Sequence, residues 1–139
     1  MIVLDTNVVS ELMRPAPSQR VMEWVASQRV TNLYTTSVTQ AEVLHGILLM
    51  SAGRRRKEIE AAAHAMFNEE FDGRILGFSG NAAHAYAQIA EKRRKLGRPI
   101  SQLDAQIAAI VRSVGAAIAT RNVADFEDCG IEILNPWGG

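Results

Sequence analysis

Four places in the chain carry side chains with the types and spacing of an oxygen-donor site: Asp5, Glu42, Asp104, and the pair Asn122 and Asp125. Asp5 stands directly after the apolar run Ile2-Val-Leu4, and Thr6 and Asn7 follow it. Glu42 comes three residues after Thr39, Asp104 three after Ser101, and Asp125 three after Asn122. Each spacing also matches a helix cap, in which a short polar side chain serves the backbone N–H three residues on. Singly, they need be no more than caps. Gathered within a few ångströms, carboxylates repel one another unless some are protonated or a cation sits among them. Oxygen donors with no His or Cys beside them suit Mg2+ or Mn2+ better than Zn2+. Such an ion activates a water and neutralises charge on a scissile phosphate. The chemistry to expect is phosphodiester hydrolysis, provided the fold brings these residues together.

The elements that must position them read from hydrophobic pattern. Ile2–Leu4 is an unbroken apolar run, as in a strand buried on both faces, and it delivers Asp5 to its own carboxyl end. Further strands are expected at Leu33–Thr36, Arg74–Phe78, Ala116–Thr120 and Ile131–Leu134, the last alternating like an edge strand. Helices fill the intervals. Val8–Met13 is stopped by Pro15, and Ser18 caps a helix with Val21, Trp24 and Val25 on one side. Thr39 opens a helix with the stripe Val43, Leu44, Ile47 and Leu48, which places Glu42 in its first turn. The run Arg54–Lys57 leads a helix with the stripe Ile59, Ala62, Ala63, Met66, Phe67 and Phe71. Asn81–Leu96, with Tyr86 and Ile89 facing in, ends at Gly97 and Pro99; Ser101 then opens a helix with Leu103, Ile107, Ile110, Val111 and Val114 inward.

Strands alternating with helices predict a three-layer α/β/α sandwich, Rossmann-like, with a mostly parallel five-stranded sheet in a single domain over residues 1–139. Helices that follow parallel strands begin at the strand carboxyl ends. Glu42, Asn122 and Asp125 are therefore expected on the same edge as Asp5, and Asp104 joins them if its helix runs antiparallel to the strand after it.

Composition limits the partners. Fifteen basic and fifteen acidic residues cancel, so an anionic partner must be held by a local patch. Arg54–Lys57 and Lys92–Arg98 hold nine of the fifteen basic residues and read either as solvated helix ends or as contacts to an RNA backbone. Arg121, beside the acidic edge, is the better single candidate for a phosphate. Cys129 is the sole cysteine, which excludes an internal disulfide. No stretch has the apolar length of a membrane span and no basic leader is visible, so a soluble cytoplasmic protein is expected. His45, His64 and His84 share no ligand spacing, although His45 follows Glu42 by three residues. The tail Asn135–Gly139 reads as irregular, with Trp137 a packing residue or a contributor to a subunit interface.

The segments Leu4-Asp-Thr-Asn7, Ala41-Glu42, Leu103-Asp-Ala-Gln-Ile-Ala108 and Ala119-Thr-Arg-Asn-Val-Ala-Asp-Phe126 resemble the four acidic motifs of PIN-domain proteins. Within that family the chain is most similar to the VapC and FitB type, toxins of type II toxin–antitoxin pairs, and Asn135-Pro-Trp137 resembles the FitB-like branch. The resemblance covers essentially the whole chain. It implies a Mg2+- or Mn2+-dependent endoribonuclease, held in check by a small VapB- or FitA-like antitoxin and assembled as a homodimer or larger oligomer. It implies that Asp5, Glu42 and Asp104 form the acidic core, with Asp5 and Asp104 as direct metal ligands. The fourth position falls on Asn122 or Asp125; a neutral Asn122 there weakens a second metal site. Thr6 and Asn7 are expected to orient Asp5 or a bound water and, with Arg121, to face substrate, and Thr120 to do similar supporting work. Two rivals remain from the sequence: a catalytically weak module of the same fold that binds RNA or a partner protein, and a phosphoryl-transfer domain with Asp5 as nucleophile. The latter lacks a second acid two residues after Asp5 and a well-placed Lys.

Overall fold

Strand β1 (Ile2–Leu4) lies at the centre of the sheet because all three of its side chains are apolar and can be buried on both faces. The computed structural model, which describes residues 1–138, places it between β2 (Leu33–Thr36) and β4 (Ala117–Ala119). β3 (Ile75–Leu76) and β5 (Glu132–Leu134) form the two edges, giving the order β3-β2-β1-β4-β5 with every pair parallel. The order matches the expected parallel sheet. Strand β3 is shorter than the expected 74–78 span, with only Ile75 and Leu76 paired to Thr35 and Thr36.

Among the described residues six helices cover the two faces. On one side lie α1 (Thr6–Leu12), α2 (Gln19–Ala26), α3 (Ser37–Leu48) and α4 (Arg54–Ala65). They bury Val8, Val9, Val21, Val43, Ile47 and Ala63 against Ile2 and Leu4 of β1. On the other side α5 (Gly80–Lys95) and α6 (Gln102–Ser113) bury Ile89, Ile107 and Ile110 against Val3 and Ile118. Successive residues of β1 thus point to opposite cores, as the pleat requires. Val3 and Ile118 pair directly across β1 and β4 and are both fully buried. Truncating Ile118 to Ala should cost about 2–5 kcal/mol.

Three local expectations are corrected. The helix after β2 opens at Ser37, not Thr39: Thr36, extended at φ −120° and ψ 157°, accepts the Thr39 N–H on its own hydroxyl. Strand passes to helix with no loop between, so Glu42 sits in the second turn and forms no capping box. Leu44, Leu48, Leu103 and Val114, expected on core faces, are exposed, because the buried stripes of α3 and α6 are narrower than their apolar content. Finally, the stripe ending in Met66, Phe67 and Phe71 is buried as expected, but Met66–Glu70 continues α4 as a π-helical turn.

Candidate active site

The sheet order reverses beside β1: the chain steps outward from β1 to β2 and β3, then returns to place β4 on the opposite flank. A crevice opens at the strand carboxyl ends at such a switch point. Asp5 and Thr120, the residues that follow β1 and β4, stand there. The Asp5 N–H donates to the Ala119 carbonyl at 3.0 Å, and the Thr120 N–H to the Leu134 carbonyl at 2.9 Å, so the strand ends are locked in register.

Thr120 is the hub of the site. Its hydroxyl donates to Asp5 Oδ2 at 2.8 Å and accepts from Asn7 Nδ2 at 3.2 Å and from the Asn122 N–H at 3.1 Å. One donor and two acceptor positions are the full capacity of a hydroxyl, so the geometry fixes its proton on Asp5. Asn7 also reaches Asp5 Oδ2 at 3.4 Å, and its Oδ1 accepts the Arg121 N–H at 3.3 Å, tying the β1 and β4 corners together. Thr6 turns the other way. Its Oγ1 donates to Glu42 Oε1 at 2.8 Å and lies 3.1 Å from Thr39 Oγ1. Glu42, one turn deeper into α3 than expected, is thereby aimed back toward β1. The side chains of Thr6 and Asn7 are engaged inside this network.

Asp5 is 4% exposed. Burial pushes its carboxyl up from 3.8 to about 6; the Thr120 hydroxyl and the Thr6 N–H oppose the rise, and the charges of Asp104 and Glu42 add to it. Asp104 lies in the first turn of α6, where Ser101 Oγ accepts its N–H at 3.2 Å. Its carboxyl is also pushed up, first by burial and then by Asp125, against the opposing effects of Ser101 and Arg93. Asp5, Glu42, Asp104 and Asp125 therefore form one electrostatic chain. Asp125 is exposed and lies in a short 3-10 segment, Val123–Phe126, whereas Asn122 precedes it and contributes its backbone N–H to Thr120.

One contributor went unseen in the sequence. Arg93, within the basic run at the end of α5, is 5% exposed. Its guanidinium donates to the carbonyls of Asp125 (2.9 Å), Glu127 (3.1 Å) and Arg98 (2.7 Å), so it clamps the loop that carries Asp125. The signal was its spacing: Ala82, Ala85, Ile89 and Arg93 form one buried helical stripe. The neighbouring cations are largely paired at the surface, Arg94 and Lys95 with Glu91, Arg98 with Glu127 and Asp128. In the other cluster Arg54 pairs with Glu58 and Arg56 with Glu60.

The donor set is hard oxygen, which fits Mg2+ or Mn2+. Among the described residues no three His, Cys, Asp or Glu side chains lie close enough together to hold a metal ion as placed. An ion here would have to be held through one or two carboxylates and several of its own waters, a mode open to Mg2+. Among the described residues no cationic side chain pairs with Asp5, Glu42 or Asp104. A depression of about 400 Å3 opens beside Glu42, lined also by Val38, His45, Leu103 and Gln106.

Known proteins share this fold. The model of the PIN domain matches residues 2–130. The chain is 36% identical over 137 residues to the VapC ribonuclease Y4jK of Sinorhizobium fredii, covering 99% of this chain and 98% of that protein. It is 34% identical over 137 residues to the toxin FitB of Neisseria gonorrhoeae, covering 99% of each. The solved structure of FitAB bound to an IR36 DNA fragment contains a chain that superposes with a TM-score of 0.93 at 34% identity, over 100% of this chain and 97% of that one.

Proposed function

The chain belongs to the PIN-domain family, and on that premise we propose that it is the toxin of a type II toxin–antitoxin pair, a Mg2+- or Mn2+-dependent endoribonuclease. The observation that carries the reading is Asp5: a buried carboxylate, fixed on one oxygen by Thr120, facing two further acids and, among the described residues, paired with no side-chain cation. The relatives named VapC ribonuclease and toxin FitB support the nuclease and toxin parts.

Asp5 and Asp104 would hold the ion, and Glu42, steered by Thr6, would complete the acidic edge. When bound, the ion supplies an activated water and a counter-charge for the scissile phosphate. Thr120 and Asn7 keep Asp5 in one orientation, which spares the site from reorganising as the ion and substrate enter. Asp125 rather than Asn122 supplies the fourth acid, because its charge reaches Asp104 while Asn122 contributes only a backbone donor.

The FitAB complex supports a partner protein, here an antitoxin that places a basic or aromatic residue at the acidic edge. A complex structure with the partner remote from Asp5 would contradict that part. Assembly as a homodimer is expected, and light scattering on the purified chain checks it.

The test of the activity is cleavage of a mixed RNA pool by purified protein with Mn2+ or Mg2+, with EDTA, and with Asp104→Asn. Cutting that needs the ion and is lost in the variant supports the reading. RNA bound but uncut by the wild type favours the rival binding module, and cutting retained in the variant removes the site assignment.

A further inference from the structure

The C-terminal turn reaches the same edge as the acids. β4 and β5 are parallel neighbours, so the residues that follow them emerge side by side: Thr120 and Arg121 after β4, Asn135 to Trp137 after β5. Asn135 Oδ1 accepts the Trp137 N–H at 3.0 Å, Pro136 is buried, and the half-buried indole packs against the core cluster that includes Leu134 at its margin. The turn is therefore anchored at both ends of its three residues. Over the indole lies the Arg121 guanidinium, its central carbon 5.1 Å from the ring centroid.

Arg121 needs such a support. Its backbone is held by Asn7 at the acidic corner, and its side chain is exposed. Among the described residues it makes no ion pair within 4.0 Å, although several carboxylates lie along the same edge. A long, flexible cation beside acids that have no ion-pair partner would ordinarily collapse onto one of them and block it. An aromatic face offers an alternative attraction that uses no carboxylate. A guanidinium held over an aromatic face spends no N–H donor on a carboxylate and keeps its donors available to the oxygens of a phosphate. The chain has no net charge to attract RNA, and five cations of the two basic clusters (Arg54, Arg56, Arg94, Lys95 and Arg98) are engaged in ion pairs, so a presented Arg121 matters more here than it would on a basic protein.

We propose that Trp137 is a positioning residue that holds Arg121 off the acids and presents it to the phosphate backbone of the RNA. The inference deepens the ribonuclease reading and rests on it for the identity of the substrate.

The experiment compares wild type, Trp137→Leu, Trp137→Phe, Arg121→Gln and the double variant Arg121→Gln/Trp137→Leu. Two readouts are taken: kcat and KM on a short single-stranded RNA with Mn2+, and binding of the same RNA in EDTA by fluorescence anisotropy. Trp137→Leu should raise KM and the dissociation constant about two- to fivefold, the range of an exposed cation–π contact, with kcat little changed. Trp137→Phe should recover most of the loss, and Trp137→Leu should add nothing once Arg121 is Gln. The salt dependence of binding should fall alike in Trp137→Leu and Arg121→Gln, by about one phosphate contact. A Trp137→Leu effect that persists undiminished in the Arg121→Gln background, or that lowers melting temperature and kcat with KM unchanged, would overturn the inference and leave the tail a packing element. A wild type that binds RNA but never cuts it would sink the ribonuclease reading alone; the anisotropy arm then still decides the role of Trp137.

Discussion

The two halves of the acidic edge are built on opposite plans. At the end of β1, Asp5 is buried, and its orientation is set by side chains, Thr120 and Asn7, that meet it from a strand 115 residues away in sequence and from its own corner. In the loop after β4, Asp125 is exposed, and the loop is held through its carbonyls by Arg93 from beneath. The first half concentrates the cost of charge burial where an ion can offset it. The second places a charge at the solvent side, where it tunes Asp104 at small energetic cost. A site divided in this way has one rigid acid and one adjustable neighbour.

Removing the clamp should have the largest effect. Arg93→Ala leaves the carbonyls of Asp125, Glu127 and Arg98 without their donor and opens a cavity beneath the loop; chemical denaturation should show a loss of roughly 3 kcal/mol. Arg93→Lys should recover only part of it, because an ammonium cannot span the forked set of acceptors.

Asp5→Asn should act in the opposite sense on stability. The folded carboxyl titrates near 6 and the unfolded one near 3.8, so below pH 3.8 both states are protonated and the charge costs nothing. Between pH 3.8 and about 6 the unfolded state ionises while the buried folded carboxyl holds its proton, so metal-free stability falls by up to about 3 kcal/mol, the fall being complete once pH has passed through about 6. In EDTA the variant should lack this fall and be the more stable protein at pH 7, while lacking the carboxylate proposed to hold the ion. Thermal melts at pH 5 and pH 7 decide the matter, and a wild type equally stable at both would contradict the burial argument.

Thr120→Val keeps the volume and removes the hydroxyl hub. Metal affinity should drop about 10- to 100-fold by calorimetry, and Thr120→Ser should restore it. The smallest effects belong to the exposed half. Asp125→Asn should slow cleavage a few-fold, and Asn122→Ala, which keeps the backbone donor, should slow it less.

Much of the Asp5 half could be read from the sequence because it depends on chain order. An apolar strand ending in an acid, and helices alternating with strands, are enough to bring Asp5, Asp104 and the 120–126 segment to one edge. Glu42 reached that edge by a different route from the one its spacing suggested. Thr36, Ser37 and Thr39 all offer a capping hydroxyl, and only the position where β2 stops selects Thr36. Arg93 was hidden by its neighbours, since a basic run at a helix end ordinarily means solvent. Its place on the stripe of Ala85 and Ile89 outweighs that, because carbonyls from a distant loop satisfy it. The pairing of Arg121 with Trp137 could not be read at all without knowing that β4 and β5 are neighbours.

The most direct test of the central claim is Mn2+ binding to the metal-free protein, followed by electron paramagnetic resonance for wild type, Asp5→Asn, Asp104→Asn and Asp125→Asn. An ion should be bound in the wild type, lost in Asp5→Asn and Asp104→Asn and only weakened in Asp125→Asn. Binding that survives Asp5→Asn unchanged would contradict it.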